Sequence, residues 1–351
     1  MITEQEIEKI RKILDNTHRP LILFDDDPDG LASFLMIYRH IGDGRGVPIK
    51  TSPELNEQYL KVVEEYAPDR IIILDKPQVA DGFISKVKVP ILWIDHHPIT
   101  DESKKVDYFN PLINDPEDNS PTSYWIYKIL NDQKLLWLGM VGAVADWYVP
   151  DFKEEFCEQY KNLFDKKITD PAQALFDSKI GKLARVLDFC LKGTSKQVKT
   201  NVKILTRIQD PCEILDEKTP QGKFILKHSK KFNDQYEQTI KSIKSNNEKL
   251  IAFKYQSERI AFSAMLSNEI LYKHPDKFIL ICREKSGFLH CSLRARHYNV
   301  RALLDKIIKE FEQAYGGGHE HACGANVLAK DYSHFVARIE EEMDDFLEKS
   351  K

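Results

Sequence analysis

Four sets of acidic and imidazole side chains in this 351-residue chain could do chemistry together. They are Asp25, Asp27 and Asp29 within Asp25-Asp26-Asp27-Pro28-Asp29-Gly30; Asp75; Asp95-His96-His97; and Asp146. Carboxylates with one or two imidazoles suit a borderline-hard divalent cation, Mn2+ or Mg2+, better than zinc held by thiolates. So many anions in one place repel one another, and without cations the repulsion raises their pKa values or opens the site. The ligands suffice for two ions bridged by one carboxylate. Two ions ~3.5–4 Å apart are the usual device for phosphoryl transfer, because they stabilise the attacking and leaving oxygens together. Alternate side chains of an extended or turning segment share one side, which would send Asp25, Asp27 and Asp29 the same way. Gly30 would let the backbone approach the metals and open the next helix.

The elements that must position these residues are legible from apolar patterning. Leu21–Phe24, Val47–Thr51, Ile71–Leu74 and Ile91–Ile94 are short apolar runs that read as strands buried on both faces. They alternate with helical patterns at 3–15, 31–41, 55–67 and 79–87, the signature of a doubly wound parallel sheet. Asp25, Asp75 and Asp95 each follow a strand, so they share the carboxyl rim where such sheets bind ligands. A polar loop is expected over 100–119, with a short strand at Asp107–Phe109. Ser120 caps a helix with Pro121 at its first position and Ser123–Asn131 as its body; a second helix, Leu135–Ala145, leads to Asp146.

Residues 151–247 read as a helical extension and linker, with Ser242–Glu248 the linker candidate and the lysine runs 196–203 and 227–231 a solvated face. Residues 248–351 read as a smaller α+β domain. Its expected strands are Lys249–Tyr255, Arg259–Phe262, Lys277–Cys282, Phe288–Leu293 and Ala325–Leu328. Its expected helices are Asn268–Tyr272, Val300–Phe311 and Asp331–Leu347. The fold class is therefore α/β: a parallel-sheet domain over 1–150, a helical connector, and a second, smaller domain.

Composition sets the outer bounds. Hydrophobic content of 42% and charged content of 30% describe a globular chain. No apolar run approaches the roughly 20 residues of a membrane span, and the acidic N-terminus lacks a signal-peptide pattern. Six scattered cysteines without a Cys-x-x-Cys pair read as reduced thiols, so a cytoplasmic location is expected. The formal net charge of -4 argues against a broad sequence-independent DNA surface, not against a local basic groove.

In order and spacing, the four sets resemble the motifs of the DHH phosphoesterase superfamily. Gly316-Gly317-Gly318-His319 and Ser292-Leu293-Arg294 resemble its DHH-associated C-terminal domain. The resemblance implies an active cleft between the two domains and two Mn2+ ions in it, with Mg2+ as a substitute. Asp27 and Asp29 would be ligands with Asp25 beside them in the metal set. Asp75 would bridge, and His96 and Asp146 would hold the second ion. Asp95 would orient His96, His97 would face the scissile phosphate, and Asp95, His97 and Asp29 would be the catalytic residues. Arg294, His319 and the Gly316–Gly318 backbone, the last near a helix start, would join His97 in gripping phosphates. Ala295 replaces the family's serine, so Arg296 could take the role of Arg294, and His321 would be a helix-face residue.

Leu23 stands where oligoribonuclease and phosphoadenosine-phosphatase members carry a histidine. The Asp-x-Asp-x-Asp-Gly form resembles RecJ-like single-strand exonucleases of the shorter archaeal, helicase-associated type, without an added OB-type domain. Family-II pyrophosphatases share only the first domain. The implied activity is Mn2+-dependent exonuclease action on single-stranded DNA or RNA, releasing nucleoside 5'-monophosphates in repair or replication. A nanoRNase or phosphoadenosine-phosphate phosphatase is the alternative, and an inactive replication scaffold a lower one. A helicase or replication protein and a homo-oligomer are compatible partners; a membrane is not.

Overall fold

A computed structural model describes residues 1–51, 54–99, 106–245, 248–257 and 260–349. Parts of the expected linker Ser242–Glu248, of the strand Arg259–Phe262 and of the loop 100–119 lie outside them. The chain divides into two compact units, Met1–Lys230 and Lys231–Lys351.

In chain order the first unit contains α1 (Glu4–Asp15), β1 (Leu21–Asp25), α2 (Pro28–Ile41), β2 (Arg45–Ile49), β3 (Glu54–Leu55), α3 (Leu60–Tyr66), β4 (Ile71–Leu74), β5 (Gln78–Val79), α4 (Asp81–Lys86), β6 (Ile91–Ile94), β7 (Asp107–Phe109), α5 (Thr122–Leu130) and α6 (Leu136–Ala145). Strands pair in the order β2-β1-β4-β6-β7, all parallel, and β3 pairs separately with β5. The doubly wound expectation holds, and the alternation of side chains shows why. Ile22, Phe24, Ile72, Leu74, Leu92 and Ile94 enter one core with α2, α5 and α6. Leu21, Leu23, Ile71, Ile73, Ile91 and Trp93 enter the other, with Phe83, Ile84 and Tyr59. Both sheet faces are dry, which is why the strands read as continuous apolar runs.

After Asp151 come α7 (Lys153–Gln159), α8 (Pro171–Asp177), α9 (Lys179–Cys190), α10 (Ser195–Leu205), α11 (Pro211–Leu215) and α12 (Pro220–Ser242). Phe156, Leu183, Leu187, Val198, Leu205 and Ile225 are buried in the same core as α2 and α6. No helix among the described residues is long and apolar enough to cross a membrane.

The second unit contains β8 (Leu250–Gln256), α13 (Ser263–Lys273), β9 (Phe278–Lys285), β10 (Phe288–Arg294), α14 (Val300–Ile307), β11 (Tyr315–His319), β12 (Ala322–Leu328) and α15 (Tyr332–Lys349). Its sheet order is β11-β12-β10-β9-β8, antiparallel except for β8 on β9. Leu304, Ile307, Phe335 and Ile339 cover one face. Two expectations are corrected here. Residues 260–262 are not a strand but lead into α13, which starts earlier than expected. Gly316–Gly318 do not precede a helix but form the edge strand β11, paired to β12.

Candidate metal centre

Register brings the rim together. Phe24 aligns with Leu74, and Leu74 with Ile94, so Asp25, Asp75 and Asp95 follow at one level on three adjacent strands. Asp75 has φ 59, the left-handed region that side-chain-bearing residues rarely adopt and Asp tolerates better than most. Such strain concentrates at functional sites.

The first motif does not converge by strand alternation, contrary to expectation. Asp25 ends β1, Asp27 is the N-cap of α2 and accepts from Gly30 N at 2.9 Å, and Asp29 lies in the first helical turn. Gly30 is required by β1 rather than by a metal: a Cβ there would lie 2.7 Å from the Asp25 carbonyl oxygen. Asp29 is buried, and its two oxygens accept Thr122 N at 2.9 Å and Ser123 N at 3.0 Å. The N-terminus of α5 is thus capped by Asp29 and not by Ser120, because Pro121 is the N-cap residue and offers no side-chain acceptor.

Around His96 the carboxylates close in. Its Nε2 lies 3.3 Å from Asp75 Oδ1 and 3.4 Å from Asp146 Oδ2. Ligand atoms around an ion ~2.1 Å away stand about this far apart. Asp29, His96 and Asp146 form one group able to hold an ion, and Asp75, His96 and His97 another. Asp75 is 1% exposed, and its Oδ2 is buried without a hydrogen-bond partner. A buried, unpaired carboxylate oxygen is costly unless a cation meets it, so the residues fit a divalent ion. Thr122 Oγ1 donates to the other oxygen at 3.2 Å.

Electrostatics agree. Burial, then the charges of Asp75 and its neighbours, pushes Asp27 and Asp29 well above the usual carboxylate range. Burial and Asp75 raise Asp146 to about 6. Burial alone would raise Asp75, but His96 and His97 hold it below its ordinary value. Burial would depress His96, yet its bond to Asp75 and the charges of Asp29 and Asp146 carry it to about 10. The imidazolium stands in for a cation.

Asp95 departs from its expected role. It is paired with His97, Oδ1 to Nδ1 at 2.8 Å, and not with His96. Asn110 Nδ2 donates to the His97 carbonyl at 2.9 Å, fixing the same segment. Asp25 and Asp27 belong to neither ion-binding group among the described residues. Lys76, 1% exposed, donates from Nζ to Asp25 Oδ1 and to the Thr51 carbonyl, each at 2.8 Å. Lys50 Nζ binds both oxygens of Asp26 at 2.7 Å. Sequence reasoning missed Lys76, Asn110 and Thr122. Lys76 alone left a signal, a charge directly after the apolar run that delivers Asp75.

In the second unit, Arg294 donates through Nε to Asn268 Oδ1 at 2.9 Å and through Nη1 to the Leu293 and Cys323 carbonyls. Arg296 and His319 are exposed, and His321 occupies the β11–β12 turn, not a helix face. Gly318 has φ 144, and a Cβ at Gly317 would lie 2.9 Å from Arg301 Nη1.

This architecture is the DHH-family, RecJ-like fold. RecJ from Thermus thermophilus, solved with Mn2+, superposes with a TM-score of 0.64 at 12% identity over 97% of this chain, which spans 55% of that one. The DHH domain of a protein assigned to a family of ribosomal proteins superposes at 0.63, with 14% identity over 97% of this chain and 89% of its own. CDC45 from Entamoeba histolytica does so at 0.52, with 9% identity over 96% of this chain and 98% of its own. No protein-family model and no curated protein matches the sequence.

Proposed function

We propose that this chain is a divalent-metal-dependent phosphodiesterase that hydrolyses single-stranded DNA or RNA from an end, releasing nucleoside 5'-monophosphates, with Mn2+ the preferred ion. The observation that carries it is the buried Asp75 carboxylate, one oxygen without a hydrogen-bond partner and the other 3.3 Å from a histidine, His96, that also groups with Asp29 and Asp146. A bound ion supplies Lewis-acid polarisation of a phosphoryl oxygen and eases deprotonation of a water. Asp29 holds the end of α5 against the rim through Thr122 and Ser123. His97, held by Asp95 and partly exposed, is oriented to donate a hydrogen bond to a phosphate oxygen. Trp147, one residue beyond Asp146, is 40% exposed with its ring edge-on to Phe176, and is the proposed stacking platform for an unpaired base. Arg294, the Gly316–Gly318 backbone and His319 are the phosphate contacts proposed in the second unit. The similar RecJ structure solved with Mn2+ supports this reading in fold only.

The test uses 5'-labelled and 3'-labelled single strands of DNA and RNA with Mn2+, Mg2+ or EDTA. A ladder running to mononucleotides with Mn2+, and none with EDTA, is expected. Strong preference for dinucleotides over a 20-mer would move the assignment to a nanoRNase. Absence of hydrolysis by metal-loaded protein would leave a scaffold. Replacing Trp147 by Ala should weaken single-strand binding by ~1–3 kcal/mol while leaving metal affinity alone.

A further inference from the structure

The rim carries more carboxylates than its ion-binding groups use, and a lysine accounts for one of them. Asp25 sits at the same level as Asp75 and Asp95, yet it is already met by the Lys76 ammonium at 2.8 Å. Lys76 is buried, and its second bond, to the Thr51 carbonyl, ties it to the chain beyond β2. A buried ammonium in that position cannot swing into water without losing both partners, and breaking such a pair leaves an uncompensated charge. Two residues earlier on β1, level with Ile73, Leu23 is fully buried and offers no ligand.

The second observation is the overlap of the two candidate groups. Both include His96, and the contacts to Asp75 and Asp146 both run through its Nε2. A neutral imidazole nitrogen has one lone pair, so it serves one ion at a time. The two groups therefore compete for His96, and Asp29, Asp75, His96 and Asp146 can bound one ion between them.

We infer that this site loads one divalent cation, and that Lys76 supplies the second positive charge as a fixed ammonium on the Asp25 side. This rests on the reading that the rim binds a divalent ion at all, and it departs from the two-ion expectation. The ammonium brings charge without exchangeable coordination positions, so the Asp25 side neutralises and positions, while the His96 side alone offers an open coordination sphere.

The experiment is metal counting on the full-length, metal-stripped protein. Equilibrium dialysis against Mn2+ gives ions per chain, and low-temperature electron paramagnetic resonance separates an isolated Mn2+ from an exchange-coupled pair. One ion with an isolated spectrum is expected. Asp25→Asn should keep that ion at unchanged affinity, and Lys76→Met should admit a second ion and a coupled spectrum. If Lys76→Met does not fold, the Lys76→Met, Asp25→Asn double variant removes both charges and should still bind one. Two ions with a coupled spectrum in the unaltered protein would overturn the inference while leaving the proposed function standing. Loss of the ion from Asp25→Asn would do the same. Binding of no ion would remove the proposed function and this inference together.

Discussion

The acidic rim has two halves that differ in how their charge is met. On one side Asp25 and Asp26 are paired within hydrogen-bond distance to Lys76 and Lys50. On the other, Asp75 and Asp146 face each other across His96, and Asp146 also caps the C-terminal, negative end of α6. Asp27 and Asp29 lie between, held by backbone N–H groups at the starts of α2 and α5. Lysines meet Asp25 and Asp26, while Asp27, Asp29 and Asp146 keep carboxyls raised above their ordinary range and Asp75 keeps one oxygen without a hydrogen-bond partner. The charge of the rim is thus met on one side and left partly unmet on the other.

That contrast can be broken from its strongest point. Asp75→Ala removes the unpaired oxygen, and hydrolysis and Mn2+ affinity should each fall by at least ~100-fold, as calorimetry and product ladders would report. Equal loss from Lys50→Ala would erase the distinction between the halves. Asp29→Ala strands the Thr122 and Ser123 N–H groups, so metal-free protein should lose ~2–5 kcal/mol in urea unfolding. The pH dependence has a definite sign. An ion on Nε2 must displace the His96 proton, held to about 10, any proton on the raised Asp29 carboxyl, and below about 6 a further proton from Asp146. Mn2+ affinity should therefore rise with pH by at least about tenfold per unit through neutrality, and more steeply below the Asp146 value. Calorimetry in buffers of different ionisation enthalpy would count the protons. The smallest effects sharpen the comparison. Asp146→Asn relieves repulsion and the helix-end conflict, raising metal-free stability by up to ~1 kcal/mol while weakening Mn2+ binding. Lys50→Ala loses a largely solvated pair, about 1 kcal/mol or less, and leaves Mn2+ binding unchanged.

What could be read in the sequence followed from how local the signal was. The parallel strands β1, β4 and β6 announced themselves because both faces of each are buried, and their order then put Asp25, Asp75 and Asp95 on one rim; β2, only partly buried, begins and ends two residues before the expected Val47–Thr51. Asp29 capping α5 was not legible, since its partners lie more than ninety positions away and Ser120-Pro121 imitates a self-sufficient cap. Asp25 and Asp27 looked equivalent to Asp29 because an alternating spacing was assumed where the chain turns from strand to helix. Asp95 was matched to the wrong histidine for a similar reason, as neighbours in sequence diverge once the strand ends. Gly316–Gly318 suggested a loop before a helix, since glycine lowers strand propensity, yet β12 supplies pairing partners for an edge strand.

The level alignment of β1, β4 and β6 has a consequence for how the chain reaches this state. Parallel strands joined by long crossovers pair late and slowly, and a slip of one residue exchanges the two faces of a strand. Such a slip would carry Asp75 away from His96, so only the correctly threaded sheet can bind an ion. An ion at 100 times its dissociation constant adds ~2.7 kcal/mol to that threading and nothing to its competitors. A metal bound at this rim would therefore act as a proofreader of assembly, and refolding yield should climb with Mn2+ in step with occupancy.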